Sequence, residues 1–150
     1  MKLRNYLQES PVFALNAAYE AIVTPVNQRL KKEDLNLLQG LVLTALFFEE
    51  SDEMTPSALA DEFKTSRGNM SHIISHLEYK GFVKRRVREQ DARQFCIELK
   101  PDGRKKALSL IKFYDKLQSL FEEQLGSGAC KKATLGIHQL SEVYKKEKRA

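Results

Sequence analysis

Thr65 to Leu77 reads TSRGNMSHIISHL, and the fold turns on how these thirteen residues divide between two faces. Ser66 stands where a helix N-cap is wanted, its hydroxyl free to accept from the first orphan amides. At a helical step of about 100° per residue, Met70, Ile73, Ile74 and Leu77 cluster on one side. Gly68, His72 and Ser75 fall almost opposite, with Asn69, Ser71 and His76 on the flanks and Arg67 at the N-terminal end. No acidic residue appears before Glu78. A helix built this way buries one stripe and offers small, polar and basic groups to a polyanion.

The neighbouring residues extend the reading. Thr55-Pro56 is a helix start, with a hydroxyl cap and a proline where its missing donor costs nothing. The short helix behind it carries Leu59, Ala60 and Phe63, and Lys64-Thr65 forms the turn of a helix-turn-helix. Gly81 reads as a left-handed cap ending the second helix. Phe82 to Arg88 then reads as a strand, Glu89 to Gln94 as a loop, and Phe95 to Leu99 as a second strand, with Phe95, Ile97 and Leu99 inward and Cys96 outward. The expected fold class is mainly α with a small β-hairpin wing, a winged helix-turn-helix.

On the N-terminal side, Leu15, Ala18, Ile22, Val26 and Leu30 recur at helical spacing within residues 2–32, and Pro25 should kink or interrupt that helix. Asn36 followed by Gln39 has capping-box spacing ahead of the apolar run Leu41 to Phe48, and Glu49 to Glu53 reads as a solvated acidic turn. From Pro101 a long helical pattern runs to the break Gly126-Ser127-Gly128, and a last helix ends in the charged tail Lys145 to Arg149. These flanking helices hold more apolar surface than a small winged helix can cover, and a two-fold homodimer is the simplest cover for it. The expected division is 1–34 and 101–150 as a helical dimerisation region around a winged helix over 35–100.

The chain has 150 residues and carries +5 net charge. Lys64 to Lys106 holds twelve basic and five acidic residues, a net of +7 that leaves the remainder at −2. Positive charge concentrated on one segment is the footprint expected for phosphate. The two cysteines, Cys96 and Cys130, stand far apart with no CxxC. With no signal-peptide or membrane-spanning run, they point to a reducing, cytoplasmic setting and no membrane partner.

An enzyme finds no support, for there is no glycine-rich phosphate loop, nucleophile elbow or catalytic carboxylate cluster. No cofactor is called for. His72 and His76 have the i, i+4 spacing of metal ligands but lack a suitable third ligand, so no metal is expected.

The local words resemble the MarR family of bacterial transcription regulators: Leu35-Asn36-x-x-Gln39, Leu59-Ala60-Asp61-Glu62, Ser66-Arg67 with Met70-Ser71, Leu77-Glu78, Gly81-Phe82-Val83, and Asp91-x-Arg93 before Ile97-x-Leu99-x-x-x-Gly103. The resemblance implies a homodimer that places each recognition helix in a major groove of a pseudo-palindromic operator, probing it with Ser66, Arg67, Gly68, Asn69, Ser71, His72, Ser75 and His76. It also implies a wing whose Arg93 enters the minor groove, held by Asp91, with Gln94 beside it. Lys84, Arg86 and Arg88 share one face of the first wing strand and are expected to neutralise phosphate.

The implied partners are double-stranded DNA, a second copy of the chain and a small-molecule effector. Some members bind aromatic acids, and Phe13, Tyr19, Phe47, Phe48, Phe113 and Tyr114 are either such a lining or ordinary core. Some sense oxidants through a cysteine near the N-terminus, where this chain has none. The wing departs from the family in having Arg88-Glu89 at its first turn, and Lys100 stands where a threonine cap is common. The rival reading is a protein-interaction module or a non-specific DNA binder without an operator. A protein-interaction module would favour a neutral or acidic wing and recognition face, and this chain has neither.

Overall fold

Side-chain caps set the helix starts. In the computed structural model, which describes residues 2–50, 53–88 and 91–149, Asn36 and Gln39 close a reciprocal capping box at the head of α4 (Leu37–Phe48). Thr55 accepts from the Ala58 amide above α5 (Pro56–Glu62), and Ser66 accepts from the Asn69 amide at 3.0 Å above α6 (Arg67–Tyr79). The α6 helix ends at Gly81, φ +74°, where the Phe82 and Gly81 amides donate back to the carbonyls of Leu77 and Glu78. Ser51 and Asp52 of the acidic turn, and Glu89 and Gln90 of the expected wing tip, lie outside the described residues.

Two compact units divide the chain within α7 (Pro101–Leu125), one reaching to Leu108 and the other starting at Ser109. The first contains α1 (Lys2–Glu9), α2 (Pro11–Ala18), α3 (Thr24–Lys31), the three helices above, and the antiparallel pair β1 (Val83–Val87) and β2 (Phe95–Leu99). Its core gathers Leu30, Leu43, Leu46, Leu59, Met70, Ile73, Ile74, Leu77, Val83 and Ile97, all buried. Four of these are the apolar stripe of α6.

The N-terminal helix is divided at two places, of which only the first departs from expectation. It breaks at Ser10, and ahead of Pro25 the α-helix is interrupted, as expected, by a π turn over Tyr19–Val23 in which the Thr24 amide donates to the Tyr19 carbonyl. The wider turn accommodates a residue that has no N–H and whose ring crowds the carbonyl four residues back. Thr24 Oγ1 donates to the Glu20 carboxylate across the same turn.

The second wing strand also differs from simple alternation. Cys96 is 1% exposed and Phe95 40% exposed, the reverse of the expected inward and outward assignment. The cause is that β2 is covered from several sides: β1 pairs with it, the Ile97 amide donates to the Met54 carbonyl on its other edge, and α4 packs against it. Cys96, facing Arg86 across the ladder, is shut in with its thiol directed at the Arg86 carbonyl. Phe95 lies at the open end of the hairpin.

The second unit holds the rest of α7, the left-handed Gly126 at φ +84° and α8 (Ser127–Arg149). Leu120, Leu125, Leu135, Leu140 and Val143 lie exposed along it. The Tyr114 hydroxyl is buried with no partner among the described residues, and burial pushes its pKa up to about 12.

Gly103 explains itself sterically. A Cβ built there would stand 1.9 Å from the Phe82 carbonyl oxygen, which also accepts from the Lys100 amide. Gly103→Ala should therefore destabilise the protein by about 1–3 kcal/mol, read as a lower midpoint in urea unfolding. An unchanged midpoint would mean that α7 and the wing do not meet this closely.

Candidate nucleic-acid interface

Burial of Met70, Ile73, Ile74 and Leu77 turns the other side of α6 to solvent, and Arg67, Gly68, Asn69, Ser71, His72 and Ser75 are all exposed there. Arg67, Ser71 and His72 carry no side-chain partner among the described residues. Asn69 is oriented, its Nδ2 donating to Thr65 Oγ1 at 2.8 Å. Ser66 is spent on the cap. Gly68 has room for a side chain, the nearest atom to an added Cβ being Ser66 Oγ at 4.0 Å, so nothing within the protein requires glycine there.

His76 sits differently from the other seven. It is half-buried, and its Nε2 lies 2.8 Å from the Asp34 carbonyl. A carbonyl only accepts, so Nε2 carries the hydrogen. Lys80 donates to the Glu33 carbonyl at 3.1 Å and lies 3.5 Å from the Asp34 carboxylate. Both side chains thus fasten the end of α6 to the turn after α3, where Asp34 adopts φ +56°. His76 holds the helix in place rather than extending its open face.

The two faces of the hairpin have different partners. Register pairs Lys84 with Glu98 and Arg86 with Cys96, so Lys84, Arg86 and Arg88 share a face with Glu98 and Gln94. Glu98 accepts from Arg86 and lies 3.0 Å from Lys84. Glu53, from the segment ahead of α5, meets Arg86 at 3.1 Å and Arg88 at 2.9 Å, and Gln94 Oε1 accepts from Arg88. On the opposite face Arg85 lies over the Phe95 ring at 5.3 Å, donates to Ser75 Oγ at 3.2 Å and reaches Glu78. Of the three strand cations expected to neutralise phosphate, only Lys84 is largely open to solvent. Arg86 and Arg88 are engaged within the protein.

At the wing tip, Asp91 Oδ1 accepts from the Arg93 backbone amide at 3.0 Å, while the Gln94 amide donates to the Asp91 carbonyl. The aspartate therefore shapes the turn that carries Arg93 instead of gripping its guanidinium. Arg93 is exposed, its side chain without a partner among the described residues. Sequence reading passed over Thr65, Lys80 and Arg85, and it took Glu53 for part of a solvated turn, whereas the carboxylate is paired with Arg86 and Arg88. Arg85 alone left a signal, lying on the other strand face from its basic neighbours.

The charges are tuned by these pairs. Arg88, and with it Arg86, holds the Glu53 carboxyl below its ordinary 4.5. Lys84 and then Arg86 do the same for Glu98, whose carboxylate in turn raises Arg86. No group of three or more histidine, cysteine or acidic residues able to hold a metal occurs among the described residues. No described helix is long and apolar enough to cross a membrane.

A helix-turn-helix with a basic, open second helix and a hairpin wing defines a winged-helix protein with a DNA-binding fold. Residues 35–95 match the model of the MarR family. The chain is 27% identical over 114 residues to the HTH-type transcriptional regulator YdcH of Bacillus subtilis (strain 168), covering 75% of this chain and 78% of that one. It is 30% identical over 77 residues to the transcriptional repressor MprA of Escherichia coli (strain K12), 51% of this chain but only 44% of that protein. The fold matches Staphylococcus aureus MepR in its DNA complex with a TM-score of 0.81, at 18% identity over 91% of this chain and 98% of that one. Over residues 35–95 the chain is similar to the MarR family of transcription regulators. Its relatives are regulators and not enzymes.

Two outcomes are expected from this geometry. Gly68→Ala should raise thermal stability by up to about 1 kcal/mol while weakening duplex binding; a rise in both would show that the Gly68 backbone does not approach DNA. A lowered carboxylate pKa contributes stability above its ordinary value that is lost as the pH falls through the lowered one. The Glu53 and Glu98 pairs should therefore persist at neutral pH and open only below 4.5, as followed by the arginine Nε–H signals in NMR. Signals already lost at pH 6 would mean the pairs do not form.

Proposed function

We propose that this regulator acts as a homodimer on a pseudo-palindromic operator, most simply as a repressor. The observation that carries the reading is the open face of α6, where Arg67, Ser71 and His72 stand exposed beside an oriented Asn69 and no carboxylate precedes Glu78. Such a face suits the major groove, where Asn69 has the bidentate amide that reads adenine and Arg67 the guanidinium that takes guanine or a phosphate. Arg93 on its Asx turn suits a narrow minor groove, whose negative potential attracts a guanidinium. Lys84 supplies phosphate neutralisation.

Dimerisation is supported by apolar residues left open on each unit. Tyr6, Val12 and Phe13 are exposed on α1 and α2, and Leu125, Leu135 and Val143 on the second unit. Single exposed apolar residues are ordinary, but rows of them along helices ask for a cover, and a self-complementary two-fold is the commonest one. The DNA complex of MepR and the repressor MprA support the DNA-binding and repressor parts of the proposal, not the dimer.

Effector control, in this reading, acts through geometry. A small molecule that changes the spacing of two recognition helices takes them off half-sites about one turn, roughly 34–36 Å, apart. Of the aromatic side chains, Phe48, Phe13 and Tyr19 are exposed, and Phe47, Phe113 and Tyr114 half-buried. That leaves them available to an aromatic ligand or to the partner copy.

Selection of random duplexes by the purified protein at two salt concentrations tests this. The expected result is an inverted repeat with half-sites about ten base pairs apart and an affinity that falls steeply with salt. Salt-sensitive binding with no enriched sequence would make the protein a non-specific DNA binder, and no binding at either salt would favour the protein-interaction module. On the selected duplex, Arg93→Ala should weaken binding by on the order of tenfold or more without changing the dimer in sedimentation. Unchanged affinity would remove the wing from the interface.

A further inference from the structure

We propose that Glu53 is a positioning residue for the wing, its two carboxylate oxygens holding Arg86 and Arg88 so that these arginines orient the hairpin instead of neutralising phosphate. The inference rests on the DNA-binding reading above and concerns how its wing is aimed. Glu53 lies ahead of α5, whereas Arg86 lies on β1 and Arg88 directly after it, more than thirty positions later, so the pairs join two separate parts of the fold.

The arrangement is specific in three respects. Each oxygen has its own guanidinium, Oε1 to Arg86 Nη2 at 3.1 Å and Oε2 to Arg88 Nε at 2.9 Å. Each arginine has a second tie within the hairpin, Arg86 to Glu98 and Arg88 to Gln94, so that the pull of Glu53 is transmitted to both strands. The Arg88 amide also donates to the Gln94 carbonyl, placing this contact where the hairpin opens toward Arg93. All three side chains are about one-quarter to one-third exposed, sheltered enough to be ordered.

The opposite face of β1 is fastened independently, by Arg85 to Ser75 and Glu78 of α6. The hairpin is thus held from two sides, on one by the recognition helix and on the other by Glu53. Edge pairing between the Ile97 amide and the Met54 carbonyl, next in the chain to Glu53, fixes the height of the carboxylate against the sheet. A wing held this way presents Arg93 in one orientation, and the entropy of ordering it is settled before DNA arrives.

The alternative, that phosphate draws Arg86 and Arg88 away from Glu53, makes opposite predictions. A carboxylate competing with DNA weakens binding, so its removal would strengthen it, and each phosphate contact carries about 0.9 of the salt slope.

The test uses the full chain and the duplex obtained by selection, with Glu53→Gln, Arg88→Gln and the exchanged pair Glu53→Arg with Arg88→Glu. If Glu53 positions the wing, Glu53→Gln weakens binding about three- to tenfold, Arg88→Gln does the same with an unchanged salt slope, and the exchanged pair regains part of the loss. Stronger binding by Glu53→Gln, or a slope reduced by about 0.9 in Arg88→Gln, would overturn the proposal, and so would unchanged affinity. Circular dichroism melts exclude variants that fail to fold, and Glu53→Asp, which keeps the charge but shortens the reach, serves as the milder substitute.

Should the wild-type protein select no duplex, the regulator reading fails separately, and the brace is then read without DNA. Arg88 Nε–H exchange in the free protein should accelerate several-fold in Glu53→Gln; exchange at the wild-type rate would show that Glu53 holds nothing.

Discussion

Met70, Ile73, Ile74 and Leu77 all sink into the core of the first unit, and the orientation of α6 depends on that burial. With four large side chains committed, each costing roughly 2–5 kcal/mol to truncate, the helix has no freedom to roll about its axis. The side that carries Arg67, Asn69, Ser71 and His72 therefore faces water, and it keeps that direction whether or not a partner is present. The wing, through Val83 and Ile97, enters the same core.

Around this anchor the polar contacts act mainly on position. Ser66 satisfies one orphan amide at the head of α6, and His76 and Lys80 fasten its tail to the carbonyls of Asp34 and Glu33. Arg85 and Glu53 steady the hairpin from its two faces. None of these partly exposed pairs need contribute much to stability, since such pairs are typically worth 0–1 kcal/mol. Their effect is to narrow the range of orientations in which the basic groups are presented.

Charge on the winged helix is consequently of two kinds. Arg67, Arg93 and Lys84 face solvent, Lys84 while still pairing with Glu98, whereas Arg85, Arg86 and Arg88 are directed back at carboxylates of the protein. A count of basic residues over this segment overstates the charge available to DNA. The local field is set by which guanidiniums remain unpaired, and a carboxylate such as Glu53 or Glu98 turns a cation into a strut.

Much of the fold was legible in the chain because its signals are local. Asn36 with Gln39, Thr55 with Pro56, Ser66, and Gly81 each act within four or five residues, where side chain and backbone are held together by covalent geometry. The stripe of α6 likewise foretold which side of that helix is buried and which is open. The sequence alone could not show that His76 turns inward, that Cys96 is buried while Phe95 is open, or that Arg86 and Arg88 are bound by Glu53. Those outcomes join residues ten to more than forty positions apart, and strand alternation is blind to what covers each face. They were decided only when tertiary packing brought the α3–α4 turn, the segment before α5 and the hairpin within hydrogen-bonding distance of one another and of α6.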